Sequence, residues 1–327
     1  MSHRKDTDYL SISTRVRAME NRLLTRERMD RMIEARDDTE ARKVMAECGY
    51  SDSQGLEQAL MQARAEVFAD LAKAVPNPGL VEVFQLKYDY HNAKALLKAR
   101  AMEVDPRRLL LPGGRYDGQT LAEDWKRGDL RNCTPMFREA MQAAWASLQE
   151  ERDPQKADLI LDRACYEEMA HIAKDQNSAF LQGYARLMVD VANLRAAVRI
   201  HRMGKGNDFL RQVLLPGGNV SQQAIASTRG EALGDIFRHG LLAEAGQLGA
   251  AVARPGSGTL TEFERSCDDA VTAYLAQAHR VPFGEEPIIG YLYAKEQELT
   301  AIRTIFAGRA AGLDGDTIRR RLRATYA

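Results

Sequence analysis

The sequence predicts an all-α protein built from three divergent copies of one helical unit. Three observations point there. Long segments are rich in Ala, Leu, Arg, Glu, Met and Gln, the good helix formers. No stretch shows the two-residue alternation of β-branched residues that marks strands. And one short pattern, an acid followed five residues later by a base, recurs down the chain.

The breaks between helices come first. Gly and Pro gather at Pro76-Asn77-Pro78-Gly79, Leu111-Pro112-Gly113-Gly114, Leu215-Pro216-Gly217-Gly218, Pro255-Gly256-Ser257-Gly258 and Pro282-Phe283-Gly284. None of the Pro-Gly-Gly turns leads into the Lys-Ser/Thr of a phosphate-binding loop, so they read as helix ends.

The repeat follows. Leu86-Lys87-Tyr88-Asp89-Tyr90-His91-Asn92-Ala93-Lys94 returns as Leu187-Met188-Val189-Asp190-Val191-Ala192-Asn193-Leu194-Arg195, an offset of 101 from Asp89 to Asp190. A fainter third copy is Glu298-Leu299-Thr300-Ala301-Ile302-Arg303, an offset of 108 from Asp190 to Glu298. Lys98 falls on Arg199, and Met102 on Met203. Leu86, Tyr90, Ala93 and Leu97 match Leu187, Val191, Leu194 and Val198, with Lys295, Leu299, Ile302 and Phe306 in the third copy. Steps of four, three and four trace one helix face. Helices are therefore expected over residues 80–102, 181–203 and 287–311.

Other landmarks recur at close offsets, 102 and 104. Asp162-Arg163-Ala164-Cys165 echoes in Glu264-Arg265-Ser266-Cys267, and Leu-Leu-Pro-Gly-Gly ends at both Gly114 and Gly218. A third such turn would fall at residues 321–324, where none is found. These landmarks divide the chain into units 1–108, 109–212 and 213–327.

Composition excludes several functions. Lys+Arg and Asp+Glu both total 46 in 327 residues, so the formal net charge is zero. Non-specific nucleic-acid binding needs a surplus of cations to neutralise phosphates. No apolar run approaches the length of a membrane-spanning helix, and Met1-Ser2-His3-Arg4-Lys5-Asp6 has no apolar stretch behind it to make a signal peptide. Cys48, Cys133, Cys165 and Cys267 lack zinc or redox spacing and are expected as reduced, packed thiols. No metal site is expected at the neighbours Asp37-Asp38 and Asp268-Asp269, because adjacent helical residues point about 100° apart. The six histidines show no ligand spacing, and no convergent catalytic set is visible. Arg319-Arg320-Arg321-Leu322-Arg323 reads as a solvated helix face, with contact to acidic loops of a partner as the alternative.

The third copy, Glu286-Pro287-Ile288-Ile289-Gly290-Tyr291-Leu292-Tyr293-Ala294-Lys295-Glu296-Gln297-Glu298 with Ile302-Arg303 and Gly308-Arg309, resembles the C-terminal signature of the C subunit of the vacuolar/archaeal-type (V/A-type) ATPases, whose eukaryotic equivalent is called d. Tyr9, Arg15-Val16-Arg17-Ala18-Met19-Glu20 and Leu23-Leu24 resemble the start of that family, and the Asp89 and Asp190 motifs resemble its middle. The resemblance implies a funnel-shaped body with pseudo-threefold symmetry. It implies a cytoplasmic protein, peripheral on the membrane through the rotor ring of proteolipid subunits, that receives the central shaft made by the D and F subunits. It implies no active site, no nucleotide and no cofactor.

On the repeated helix, acid and base lie about 140° apart, too far round to pair with each other. Asp89, Lys94, Asp190, Arg195, Glu298 and Arg303 are therefore candidates for contacts between units or with the shaft. A general all-α protein-binding scaffold, unrelated to the ATPases, is the alternative that the repeat alone would fit.

Overall fold

The computed structural model describes residues 5–50 and 55–327. It is 73% helical, with no strand among the described residues. The elements run α1 (Leu10–Glu20), α2 (Arg26–Glu34), α3 (Asp38–Glu47), α4 (Leu56–Ala74), α5 (Gly79–Ala101), α6 (Gly118–Arg127), α7 (Pro135–Glu151) and α8 (Pro154–Asp175). They continue with α9 (Ala179–Arg202), α10 (Asn207–Val213), α11 (Gln222–Ser227), α12 (Leu233–Ile236), α13 (Ala243–Val252), α14 (Thr261–Leu275), α15 (Glu286–Ala310) and α16 (Gly315–Arg321). The three long helices α5, α9 and α15 sit where the repeated motif placed them.

Local chemistry sets the helix starts. The side chains of Thr25, Asp37, Thr134, Asp153 and Asp314 each accept a backbone N–H of the first turn that follows. Pro135 and Pro154 stand in first turns, where a missing N–H leaves no bond unmade. Asp37-Asp38 is thus a cap and a first-turn acid, which suits the positive end of α3.

The chain forms two compact units, residues 64–185 and residues 1–63 with 186–327. In the unit of residues 64–185, α8 packs on both α5 and α7. Tyr90 meets Phe137 edge-on at 5.2 Å between ring centroids. The predicted stripe Leu86, Tyr90, Ala93 and Leu97 is buried, but so are Phe84, Tyr88 and Leu96 on other faces. One stripe understates the burial because α5 is covered from several directions.

In the other compact unit, the core joins distant ends of the chain. Met29, Met32 and Ile33 of α2 and Val44 and Met45 of α3 pack with Leu299, Ile302, Ile305 and Phe306 of α15. Arg309 near the end of α15 donates to the carbonyls of Met32, Ile33 and Ala35 at 3.2, 3.0 and 2.9 Å, and pairs with Asp38 at 3.0 Å. One guanidinium therefore satisfies the terminal carbonyls of α2.

All four cysteines are buried and free. Burial pushes the thiols of Cys48 and Cys133 up to about 11, and those of Cys165 and Cys267 to about 12. The arginine run is not the solvated face that its sequence suggests. Arg319 pairs with Asp30 at 2.8 Å and with Glu34, and Arg323 pairs with Asp268 at 2.6 Å. Acids distant in sequence turn these two inward, and Arg320 and Arg321 stay exposed.

Candidate functional site: acid clamps on the long helices

Each acid of the repeated motif is buried and grips a segment that crosses its helix. Asp89 on α5 accepts the Tyr116 N–H at 3.3 Å and the Arg115 Nε at 2.6 Å. Asp190 on α9 accepts the Asn219 and Val220 N–H groups, both at 3.0 Å, and the Asn219 side-chain amide at 2.8 Å. One turn on, Asn92 exchanges two hydrogen bonds with Leu111, at 2.8 and 2.9 Å. Asn193 does the same with Leu215, at 2.7 and 2.9 Å. The Asp-x-x-Asn spacing puts both side chains on one helix face, where the crossing loop runs past them.

This geometry explains the two Pro-Gly-Gly turns. The first glycines, Gly113 and Gly217, hold φ of +99° and +93°, where a side chain would be strained. The second glycines leave no space. A Cβ on Gly114 would lie 2.3 Å from Asp89 Oδ1, and one on Gly218 would lie 2.2 Å from Asp190 Oδ1. Gly114→Ala and Gly218→Ala must push a buried carboxylate off its N–H donors, and each is expected to destabilise by about 3 kcal/mol. Equilibrium urea unfolding measures this, and a loss below about 0.5 kcal/mol at both positions would show that the loop gives way freely.

The third acid finds its segment elsewhere. Glu298 on α15 accepts the Leu24 N–H and the Tyr50 hydroxyl, and pairs with Lys295 on its own helix. The role of the Pro-Gly-Gly turn passes to Leu23-Leu24, just before α2. Lys295 occupies a stripe position expected to be apolar. It is buried because Glu298 and the face of the Tyr50 ring, 4.6 Å from its Nζ, surround the ammonium.

Electrostatics distinguish the clamps. Burial dominates at Asp89 and pushes its carboxyl up to about 6, against the opposing pull of Arg115. Burial also raises Asp190, opposed by the Val220 and Asn219 N–H groups. Arg115 bridges from Asp89 to Glu168 of α8, at 2.8 Å, and Glu168 accepts from Tyr90 at 2.8 Å and Thr134 at 2.7 Å. Burial works to raise Glu168, but these partners outweigh it and hold the carboxyl below the usual range.

The bases of the motif meet acids on other helices. Lys94 pairs with Asp162 of α8 at 2.6 Å, and Lys98 with Asp158 at 2.7 Å. Arg195 lies 2.6 Å from Glu264 and 2.7 Å from Asp268 of α14. Arg303 pairs with Glu57 of α4 at 2.9 Å. Asp162 and Glu264 belong to an echo of their own, so two repeated bases meet two repeated acids. Lys94 and Arg303 are partly solvated and contribute about 0–1 kcal/mol each. Arg195, between two carboxylates and deeper, contributes more.

Arg115, Glu168, Tyr50, Asn92, Asn193 and Lys295 complete the clamps without having stood out in the sequence. Only the two asparagines and Lys295 left a signal there, their shared register in the repeat. Every clamp carboxylate is occupied by internal donors, which makes these sites devices for holding segments together. No group of acidic, His or Cys side chains among the described residues could hold a metal ion.

The ATP synthase (C/AC39) subunit family matches residues 12–321, from α1 to the end of α16, and so includes all three clamps. The chain belongs to this family. Among curated proteins, the C subunit of the V-type sodium ATPase of Enterococcus hirae is 20% identical over 326 residues, covering 98% of this chain and 99% of that one. The C subunit of the A-type ATP synthase of Haloferax volcanii is 25% identical over 80% of this chain and 79% of its own length. That of Desulfurococcus sp. is 23% identical over 92% and 86%. The resemblance to the C subunits of V/A-type ATPases thus extends over the whole chain. No helix among the described residues is long and apolar enough to cross a membrane.

Proposed function

We propose that this chain is the non-catalytic C subunit in the central stalk of a V/A-type rotary ATPase, coupling the shaft of D and F subunits to the membrane rotor ring during proton or sodium transport. The near-complete match to curated C subunits carries this reading. On it, the protein lies on the cytoplasmic side, peripheral to the membrane and held there by the ring. Units 1–108, 109–212 and 213–327 stand around an axis as a funnel. Lys94, Arg195 and Arg303 tie each unit to the next, with the acids Asp89, Asp190 and Glu298 holding the crossing segments. Torque transfer requires a body that does not yield, and buried, fully partnered polar clamps supply that rigidity.

Affinity purification of the full chain from membranes solubilised in mild detergent tests the role. The shaft proteins and the ring proteolipid are expected to co-purify, and calorimetry on the isolated chain should show no ATP binding. Recovery of the chain without either assembly would end this reading in favour of an unrelated scaffold.

A further inference from the structure

We propose that an arginine-lined cleft bordered by α9, α14, α15 and α16 docks an acidic segment of a partner protein. The proposal rests on the chain working within a multisubunit complex, and adds to that reading a site and the chemistry of its occupant.

The cleft has a volume of about 670 Å³. Three guanidiniums border it, Arg199 on α9 and, on one segment, Arg321 at the end of α16 with Arg323 just beyond. Its lining also includes the exposed Ala307 on α15, a small residue that lets a main chain approach closely.

The charges do not balance there. Glu264 lies 2.6 Å from both Arg195 and Arg199. Asp268, one turn on, takes Arg195 at 2.7 Å and Arg323 at 2.6 Å. Two carboxylates therefore serve three guanidiniums, and Arg321 brings a fourth. The next acid, Asp269, is already paired with Arg265. Two positive charges are left over locally in a chain whose formal net charge is zero.

Arg321 is the decisive residue. Arg319 before it is anchored to Asp30, Glu34 and Asp316, Leu322 after it is buried, and Arg323 is anchored to Asp268. The backbone is thus fixed on both sides. Yet among the described residues the Arg321 side chain makes no ion pair or hydrogen bond, and it stands exposed at the cleft. Guanidinium groups match carboxylates as planar forks, and two or more carboxylates spaced along a polypeptide would answer the separated arginines at once. Such a contact would also steer encounter and weaken with salt.

The test uses the full chain assembled in its complex. Thr261, exposed at the cleft edge, is replaced by the photoreactive residue p-benzoylphenylalanine, and the purified complex is irradiated. The expected product is a crosslink to a partner peptide carrying at least two Asp or Glu residues. Arg321→Glu should lower crosslink yield and salt-resistant retention of the chain by about tenfold, with unchanged thermal melting because Arg321 has no internal partner among the described residues. Arg320→Glu, exposed on the same helix outside the cleft, should leave both readouts unchanged. An assembled complex with no crosslink, a crosslink to lipid or to a segment without acids, or an Arg321→Glu variant that behaves as the parent would overturn the cleft and leave the role in the complex standing. Absence of the chain from the complex would overturn both.

Discussion

Replacing Arg115 with methionine is expected to destabilise the compact unit of residues 64–185 by about 3–5 kcal/mol, because one guanidinium answers two buried carboxylates. Its side chain is 8% exposed, against 0% for Asp89 and 3% for Glu168. Methionine keeps most of the volume, so the loss is electrostatic rather than a cavity. Chemical denaturation followed by circular dichroism at neutral pH measures it. Arg115→Met combined with Asp89→Asn and Glu168→Gln should recover much of the loss, since neutral amides need no counter-charge. If the triple variant is no more stable than the single one, packing rather than charge is the cause.

The loss in Arg115→Met also has a definite pH dependence. Burial already lifts Asp89 to about 6 in the intact cluster, and without Arg115 its main cationic opponent is gone. A folded-state pKa above the unfolded value means that the folded chain holds the proton more tightly. The Asp89 part of the penalty is therefore full above the folded value, shrinks as pH falls through it, and is gone below the unfolded value of about 4, while the Glu168 part persists until pH falls through the lowered pKa of that carboxyl.

Glu298→Gln is the second large effect, again about 3–5 kcal/mol, and it should be felt at the opposite end of the chain. Glutamine can still accept from Leu24 or Tyr50, but Lys295 is left buried without its counter-charge. The expected result is loss of amide-exchange protection in α2 and α3, which pack on α15 beside this clamp. Lys295→Met added to Glu298→Gln should restore much of that protection. Unchanged exchange across α2 and α3 in the single variant would show that the apolar core alone holds the N-terminal helices. Asp190→Asn provides the contrast. Backbone amides and the Asn219 side chain hold Asp190, so this change should lose only about 1–2 kcal/mol.

Helix was legible throughout the sequence because propensity and the 3.6-residue period are local properties that survive divergence. The repeats at Asp89, Asp190 and Glu298 were legible for the same reason, as were the turns ending at Gly114 and Gly218. The partners were not. The bond from Leu24 to Glu298 spans 274 residues and that from Arg303 to Glu57 spans 246, and no local pattern announces either. The missing third Pro-Gly-Gly looked like a defect in the repeat until folding brought Leu23-Leu24 to that place. Lys295 holds a stripe position of the repeat, and only the arrival of Tyr50 beside Glu298 makes its burial tolerable. Local sequence fixes which segments are helical and which side chains recur. Tertiary structure alone decided which carboxylate meets which donor, because that depends on desolvation and on distances between segments far apart in the chain.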